Sequence, residues 1–213
     1  MALAGCAVLT RPMHLTKYDH APRLPEGERI LLDDIVPGGG DLLLEIGPGR
    51  GMFALQWAAL HPESRLLALE IRRKLAAVLA DRLAEKGLTN ARSFAEDAGL
   101  ALPRLGPDGS VAWAVVHFPD PWWKKRHQKR LVLKDAFVAE LARLVRPGGT
   151  VLVQTDVEAR AEEYRARFEA APEFECVGDP WVPESPHAPA RSNREARAIE
   201  DGLPVWRMVF RRR

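Results

Sequence analysis

An α/β fold, with a mostly parallel seven-stranded sheet covered by helices on both faces, is the expectation for this 213-residue chain. Three observations predict it. Short apolar runs alternate with segments whose apolar residues recur at helical spacing, the signature of strand-crossover-strand units. A glycine-rich turn joins the first clear run to the first clear helix. The composition, 46% hydrophobic and 28% charged with 16 Gly and 17 Pro dispersed along the chain, suits one domain that buries a core.

The elements follow in order. Residues 1–40 read as an irregular, basic N-terminal arm, because Arg11, His14, Lys17, His20 and Arg23 lie among recurring prolines and Pro37-Gly38-Gly39-Gly40 breaks the chain. One short helix is expected near 28–35. Residues 41–213 then form the main domain. Its strands are expected at 42–46, 65–71, 91–94, 111–118 and 150–155, and its helices at 52–60, 74–86, 131–145 and 158–171. Gly87 ends the second of these helices, and Pro147-Gly148-Gly149 turns the chain into the fifth strand. Two late strands, 174–177 and 205–210, flank a proline-rich excursion at 180–189.

Several classes are excluded or disfavoured by composition. No apolar run approaches the roughly 20 residues of a membrane span, so no membrane partner is expected. Leu3-Ala4-Gly5-Cys6 has the look of a lipoprotein cleavage box but lacks the basic and apolar regions that precede one. Two cysteines, Cys6 and Cys176, form neither a disulfide framework nor a metal motif, so no metal is expected and the reducing cytoplasm is the expected compartment. Net charge is only +2, but Lys124, Lys125, Arg126, Lys129 and Arg130 crowd one short window.

Glu45-Ile46-Gly47-Pro48-Gly49-Arg50-Gly51 supplies the chemistry of the first strand-to-helix turn. Glycines there let the backbone turn tightly and approach a ligand. A dinucleotide fingerprint needs glycine where Met52 stands, and no Lys-Ser/Thr pair completes a phosphate loop. Acids argue in the same direction. Glu45 stands at the loop entrance, Glu70 ends the second strand and Asp97 follows the third, so an anionic ligand would be repelled. S-adenosylmethionine fits: Glu70 for the ribose hydroxyls, Asp97 for the adenine amine, Glu45 for the methionine end, with Gly47, Gly49 and Gly51 making room.

Phe118-Pro119-Asp120-Pro121-Trp122-Trp123 follows the fourth strand, where this architecture presents its reactive edge. Flanking prolines restrict the backbone and so aim the Asp120 carboxylate. Methyl transfer to a purine N7 needs alignment rather than a strong base, and a carboxylate can accept hydrogen bonds from the guanine edge while offsetting developing positive charge. The cations at 124–130, with His127 among them, then read as an RNA track beside two rings that can stack on bases.

Residues 118–130 closely resemble a segment of the bacterial tRNA (guanine-N7)-methyltransferases, and the resemblance extends over about residues 40 to 210. It implies a Rossmann-like class I fold, S-adenosylmethionine as cofactor and tRNA as partner, with the methyl group going to N7 of a variable-loop guanine. By the resemblance Glu45, Glu70, Asp97 and Asp120 match cofactor-contacting acids, with Asp120 also catalytic. Lys124, Arg126, His127, Lys129, Arg130 and Asp156 match substrate contacts. A late Thr-Lys-aromatic-Glu motif corresponds to Ser192, Asn193, Arg194 and Glu195, with Arg197 following, so its two middle positions depart from the pattern. Two other readings stand beside this one: a methyltransferase acting on an amino group, which Asp120-Pro121-Trp122 faintly echoes, and a non-catalytic RNA-binding module. Whether the chain is a monomer or a homodimer is open.

Overall fold

The computed structural model describes residues 17–119, 132–178 and 181–213. Its centre is a seven-stranded sheet of β2 (Leu42–Ile46), β3 (Arg65–Leu69), β4 (Ala91–Phe94), β6 (Val111–His117), β7 (Val145–Thr155), β8 (Phe174–Val177) and β9 (Trp206–Arg212). Spatial order is β4-β3-β2-β6-β7-β9-β8, and only β9 runs antiparallel to its neighbours. β2, β3, β6 and the second half of β7 are buried almost throughout, which is why they read as apolar runs.

Side-chain alternation along β2 separates the two faces. Leu42, Leu44 and Ile46 join the core beneath α5 (Asp135–Leu144) and α6 (Glu158–Glu169), whereas Leu43 joins the core beneath α2 (Met52–Leu60) and α3 (Arg73–Glu85). Trp57 and Phe53 fill one side; Tyr164, Phe168 and Phe210 fill the other, with the last two stacked at 4.1 Å.

Four segments differ from the sequence expectation. Leu24, Ile30, Leu32, Ile35 and Val36 are buried in the main core, so residues 24–36 pack as part of the domain rather than as an arm. There β1 (Ile30–Leu31) pairs in parallel with β5 (Leu105–Gly106), and the expected helix shrinks to α1 (Leu32–Ile35). The expected turn at 147–149 lies inside β7, whose register against β6 slips between Val111 and Trp113. A bulge absorbs the extra residues, and a Cβ at Gly149 would lie 2.7 Å from the Ala112 carbonyl oxygen. Finally, residues after Ala190 form α7 (Asn193–Glu200), preceded earlier in the chain by a short α4 (Ala98–Ala101), neither of them expected from the apolar pattern.

Gly51 carries the fold's sharpest local demand. It caps α2 at φ +77°, and a Cβ there would sit 2.3 Å from Cδ1 of the wholly buried Leu79. Gly51→Ala therefore combines a left-handed alanine with an overpacked core, and a loss of about 2–4 kcal/mol is expected. Gly49, at φ +60°, has no heavy atom nearer than 4.0 Å, so Gly49→Ala is expected to lose only about 1–2 kcal/mol. Denaturant midpoints of the two variants check the contrast; equal losses would contradict it.

Candidate active site

Parallel strands bring their carboxyl ends to one edge, where ligands of such sheets bind. At that edge Gly47, Gly49 and Gly51 all adopt positive φ, and the Gly47 amide donates to the Leu69 carbonyl at 3.0 Å. The loop is thereby fastened to β3, and it closes on itself where the Gly51 amide donates to the Pro48 carbonyl at 2.9 Å. Glu70, 2% exposed, braces it further: Oε2 accepts from the Gly49 amide at 3.0 Å, and Oε1 accepts from the Arg72 amide at 2.9 Å and Nε at 3.1 Å.

Asp97 caps α4 by accepting from the Gly99 amide at 2.8 Å. It is exposed and lines a cleft of about 720 Å³ with Ile71, Leu100, Leu102 and Phe137. Ile71 is 67% exposed and Leu100 72%. Large apolar side chains left in solvent beside an aimed carboxylate suit a flat heterocycle with an amino group. Sequence reading missed both; Ile71 could have been found as the residue following the strand-end acid.

Glu45 occupies a different environment from the loop-entrance position expected of it. It is fully buried on the α2 face, and neither carboxyl oxygen has a hydrogen-bond partner among the described residues. Burial, reinforced by the charge of Glu70, holds its pKa well above the usual carboxylate range. Beside it His117 lies with Nε2 at 3.5 Å from Glu45 Oε1 and Nδ1 at 2.8 Å from Gln154 Oε1. Burial pushes the His117 pKa down to about 3, and that of nearby His187, which packs edge-on against Phe53 and Trp113, to about 4.

Those two histidines set an acid limb of stability. Their folded pKa values lie below the ordinary 6.5, so the unfolded chain binds more protons, and stability present above about pH 6.5 is lost as pH falls towards about 4 and 3. The slope is about 1.4 kcal/mol per pH unit for each ring. Glu45 acts with opposite sign, favouring the fold at low pH. His187→Phe, which keeps a ring against Phe53, is expected to flatten the limb by one proton's slope between about pH 6.5 and 4, measured by denaturant unfolding at stepped pH. An unaltered slope would show that His187 is protonated in the folded state.

The reactive edge of β6 is held from both sides. Phe118 is the one non-glycine residue with positive φ among those described, at +45°, and its amide donates to the Gln154 carbonyl at 2.8 Å. The hydroxyl of buried Tyr164, on α6, donates to the Pro119 carbonyl at 3.2 Å. The chain is thus fixed as it enters Asp120. Asp120, Lys124, Arg126, His127, Lys129 and Arg130 lie outside the described residues.

The late motif divides. Ser192 and Glu195 turn inward: the Ser192 hydroxyl caps α7 by accepting from the Glu195 amide at 3.1 Å, and Glu195 Oε1 accepts from buried Arg207 at 2.8 and 3.0 Å. Asn193 and Arg194 face the site. Asn193 Oδ1 accepts from the Met52 amide at 3.3 Å, and Arg194 pairs with Asp156 at the end of β7. The two positions that depart from the family pattern therefore tie α7 to the glycine loop and to the substrate-facing edge. The Ser192-x-x-Glu195 spacing was the available sign of this helix start.

Among the described residues no group of three or more His, Cys, Asp or Glu is arranged to hold a metal, and no helix is long and apolar enough to cross a membrane.

Comparison with known proteins gives concordant findings. A family model described as "Putative methyltransferase" matches residues 40–208. The tRNA (guanine-N(7)-)-methyltransferase of Anaeromyxobacter dehalogenans is 44% identical over 170 residues, covering 80% of this chain and 85% of that protein. The enzyme of the same name from Thermosynechococcus vestitus is 35% identical over 196 residues, covering 92% and 90%. Among solved structures, the 16S rRNA methyltransferase KamB superposes with a TM-score of 0.61 at 19% identity, covering 85% of this chain and 92% of that one. TrmN from Thermus thermophilus gives 0.60 at 21%, covering 85% and 47%. At such identities the structural likeness speaks for the fold alone.

Proposed function

We propose, for a chain that belongs to the tRNA (guanine-N7)-methyltransferase family, a guanine of the tRNA variable loop as the methyl acceptor. The chain is an S-adenosylmethionine-dependent enzyme that methylates guanine N7 in tRNA. The cofactor supplies an electrophilic methyl group. Our assignment of its holders rests on one observation above all: Glu70, braced against Gly49, and Asp97, beside the apolar wall of Ile71 and Leu100, are brought to one sheet edge, where the Glu96 amide donates to the Glu70 carbonyl at 3.1 Å. In this reading Gly47, Gly49 and Gly51 admit the cofactor, Glu70 takes its ribose, Asp97 its adenine and Glu45 its methionine end.

Asp120 is the catalytic carboxylate of this reading. It accepts hydrogen bonds from the guanine edge and offsets charge as N7 is alkylated, while the backbone hold on Phe118 and Pro119 sets its position. Lys124, Arg126, His127, Lys129 and Arg130 carry the RNA backbone. Asp156 and the α7 start, residues 192–195, border the base. N7 of a paired guanine lies in the deep, narrow major groove of A-form RNA, which favours a loop guanine over a stem one. The enzyme would work in the cytoplasm, beside its substrate.

Incubation with labelled S-adenosylmethionine and unmodified tRNA, followed by nucleoside analysis, tests cofactor, base and atom together. Label is expected in 7-methylguanosine from the variable loop. A tRNA carrying 7-deazaguanine there is expected to bind but take no methyl. Methylation of that analogue would overturn N7 in favour of an amino group; label in a stem would overturn the loop assignment.

A further inference from the structure

The α2 face of the sheet holds a polar chain of which the proposed mechanism uses only Glu45. Glu45, His117 and Gln154 project to one face from the adjacent strands β2, β6 and β7, His117 opposite Gln154 and Glu45 one step back, opposite Val115, and are 0%, 6% and 0% exposed. Glu45 Oε1, Glu45 Oε2, His117 Nε2 and Gln154 Nε2 all lack hydrogen-bond partners among the described residues. Four such atoms in one row are costly wherever they stand, and burying an ionised carboxylate without a donor costs more still.

A single proton eases the conflict at two of the four atoms, Glu45 Oε1 and His117 Nε2. With the Nδ1–H of His117 donating to Gln154 Oε1 at 2.8 Å, Nε2 is left as an acceptor, and Glu45 Oε1 lies 3.5 Å from it. A neutral Glu45 carboxyl has the proton that this acceptor lacks; a carboxylate would face it lone pair to lone pair. Charges around the row favour the same state. Glu70, from the end of β3, repels a second anion, and His187, packed on Phe53, carries no positive charge to offset one. Arg72 is committed to Glu70, and Arg207, the register partner of Gln154 on β9, is committed to Glu195 on α7.

We propose that His117, its tautomer fixed by Gln154, is a positioning residue that keeps Glu45 a neutral carboxylic acid until a cation binds beside it, so that cofactor uptake expels one proton. The inference rests on the reading of Glu45 as a cofactor contact. S-adenosylmethionine carries an ammonium and a sulfonium against one carboxylate, a net positive charge, so its arrival favours the ionised form. The O–H bond of Glu45 breaks, its electron pair stays on the carboxylate, and the proton leaves to solvent. The device explains how an acid can be kept in the cofactor pocket without a permanent buried charge.

Calorimetric titration of the full chain with S-adenosylmethionine, in two buffers of different ionisation enthalpy between about pH 5.5 and 7.5, counts the protons. About one is expected to leave per cofactor bound, with affinity rising about tenfold per pH unit. An infrared band of a protonated carboxyl should be present before binding, disappear on binding, and be missing in Glu45→Gln. Buffer-independent heats would overturn the proposal while leaving the cofactor site intact; failure of the wild-type chain to bind at all would overturn both.

His117→Phe keeps a ring against Phe53 but removes the acceptor, so the steep part of the affinity profile is expected to move about one pH unit lower, the worth of one lost hydrogen bond to the neutral acid. A merely structural role would weaken binding equally at every pH, and that result would overturn the assignment of His117. Gln154→Leu, which frees the tautomer, is expected to shift the profile in the same direction and serves if the first variant does not fold.

Discussion

Glu70→Ala is expected to weaken S-adenosylmethionine binding by about two to four orders of magnitude, the loss of two hydrogen bonds to a charged acceptor at about 1.5–3 kcal/mol each. The carboxylate is almost wholly enclosed and already accepts three N–H groups, from Gly49 and Arg72, so it is held in place rather than free to turn away. Alanine removes both the ligand contact and the brace on the loop. Glu70→Gln separates them, because the amide keeps one accepting oxygen for the brace but loses the charge and pairs poorly with two hydroxyls. Its affinity is expected to fall about tenfold or more, with a stability loss of about 1–3 kcal/mol because the amide NH2 meets one of the three N–H donors. Calorimetric affinity equal to the parent's in a folded Glu70→Ala protein would remove Glu70 from the site.

Asp120→Ala has the largest expected effect on turnover, a fall of at least about a hundredfold, the scale of losing one positioned electrostatic group. Cofactor affinity is expected to change much less. The separation follows from placement: Asp120 succeeds the β6 end and two anchored carbonyl and amide groups, whereas the glycine loop and Glu70 belong to β2 and β3. Single-turnover rates with saturating tRNA measure the chemical step directly. A rate near the parent's would reduce Asp120 to a turn residue between its prolines.

How much of this was legible in the sequence depended on the kind of pattern. Strands β2 and β6 were readable within a residue or so because burial on both faces leaves nearly continuous apolar runs, and the short edge strands β4 and β8 through the apolar residues at both their ends. Strand-end acids were readable for a related reason, since Glu70 and Asp97 stand where each run stops. Segments stabilised by distant partners were not. β1 exists through its pairing with β5, far along the chain, and α7 through a cap and an ion pair to Arg207. The Glu45, His117 and Gln154 row was equally hidden, because it appears only when three strands are placed side by side with their alternation in phase. Ile71 and Leu100 look like core residues in the sequence, and only their exposure marks them as a wall of the cleft.

The position of β9 between β7 and β8 has a consequence for synthesis of the chain. β8 pairs with β9 alone, so it has no place in the sheet until residues 206–212 have been made and threaded beside β7. Until then the outer edge of β7, with Val151, Leu152 and Val153, stays an open template for pairing with other chains. A nascent chain stalled after β8 would therefore present an aggregation-prone ribbon although every parallel strand, the glycine loop and the acids around it were already in place. Quality control acting on this protein would have to recognise that unfinished edge, since the cofactor pocket itself would look complete.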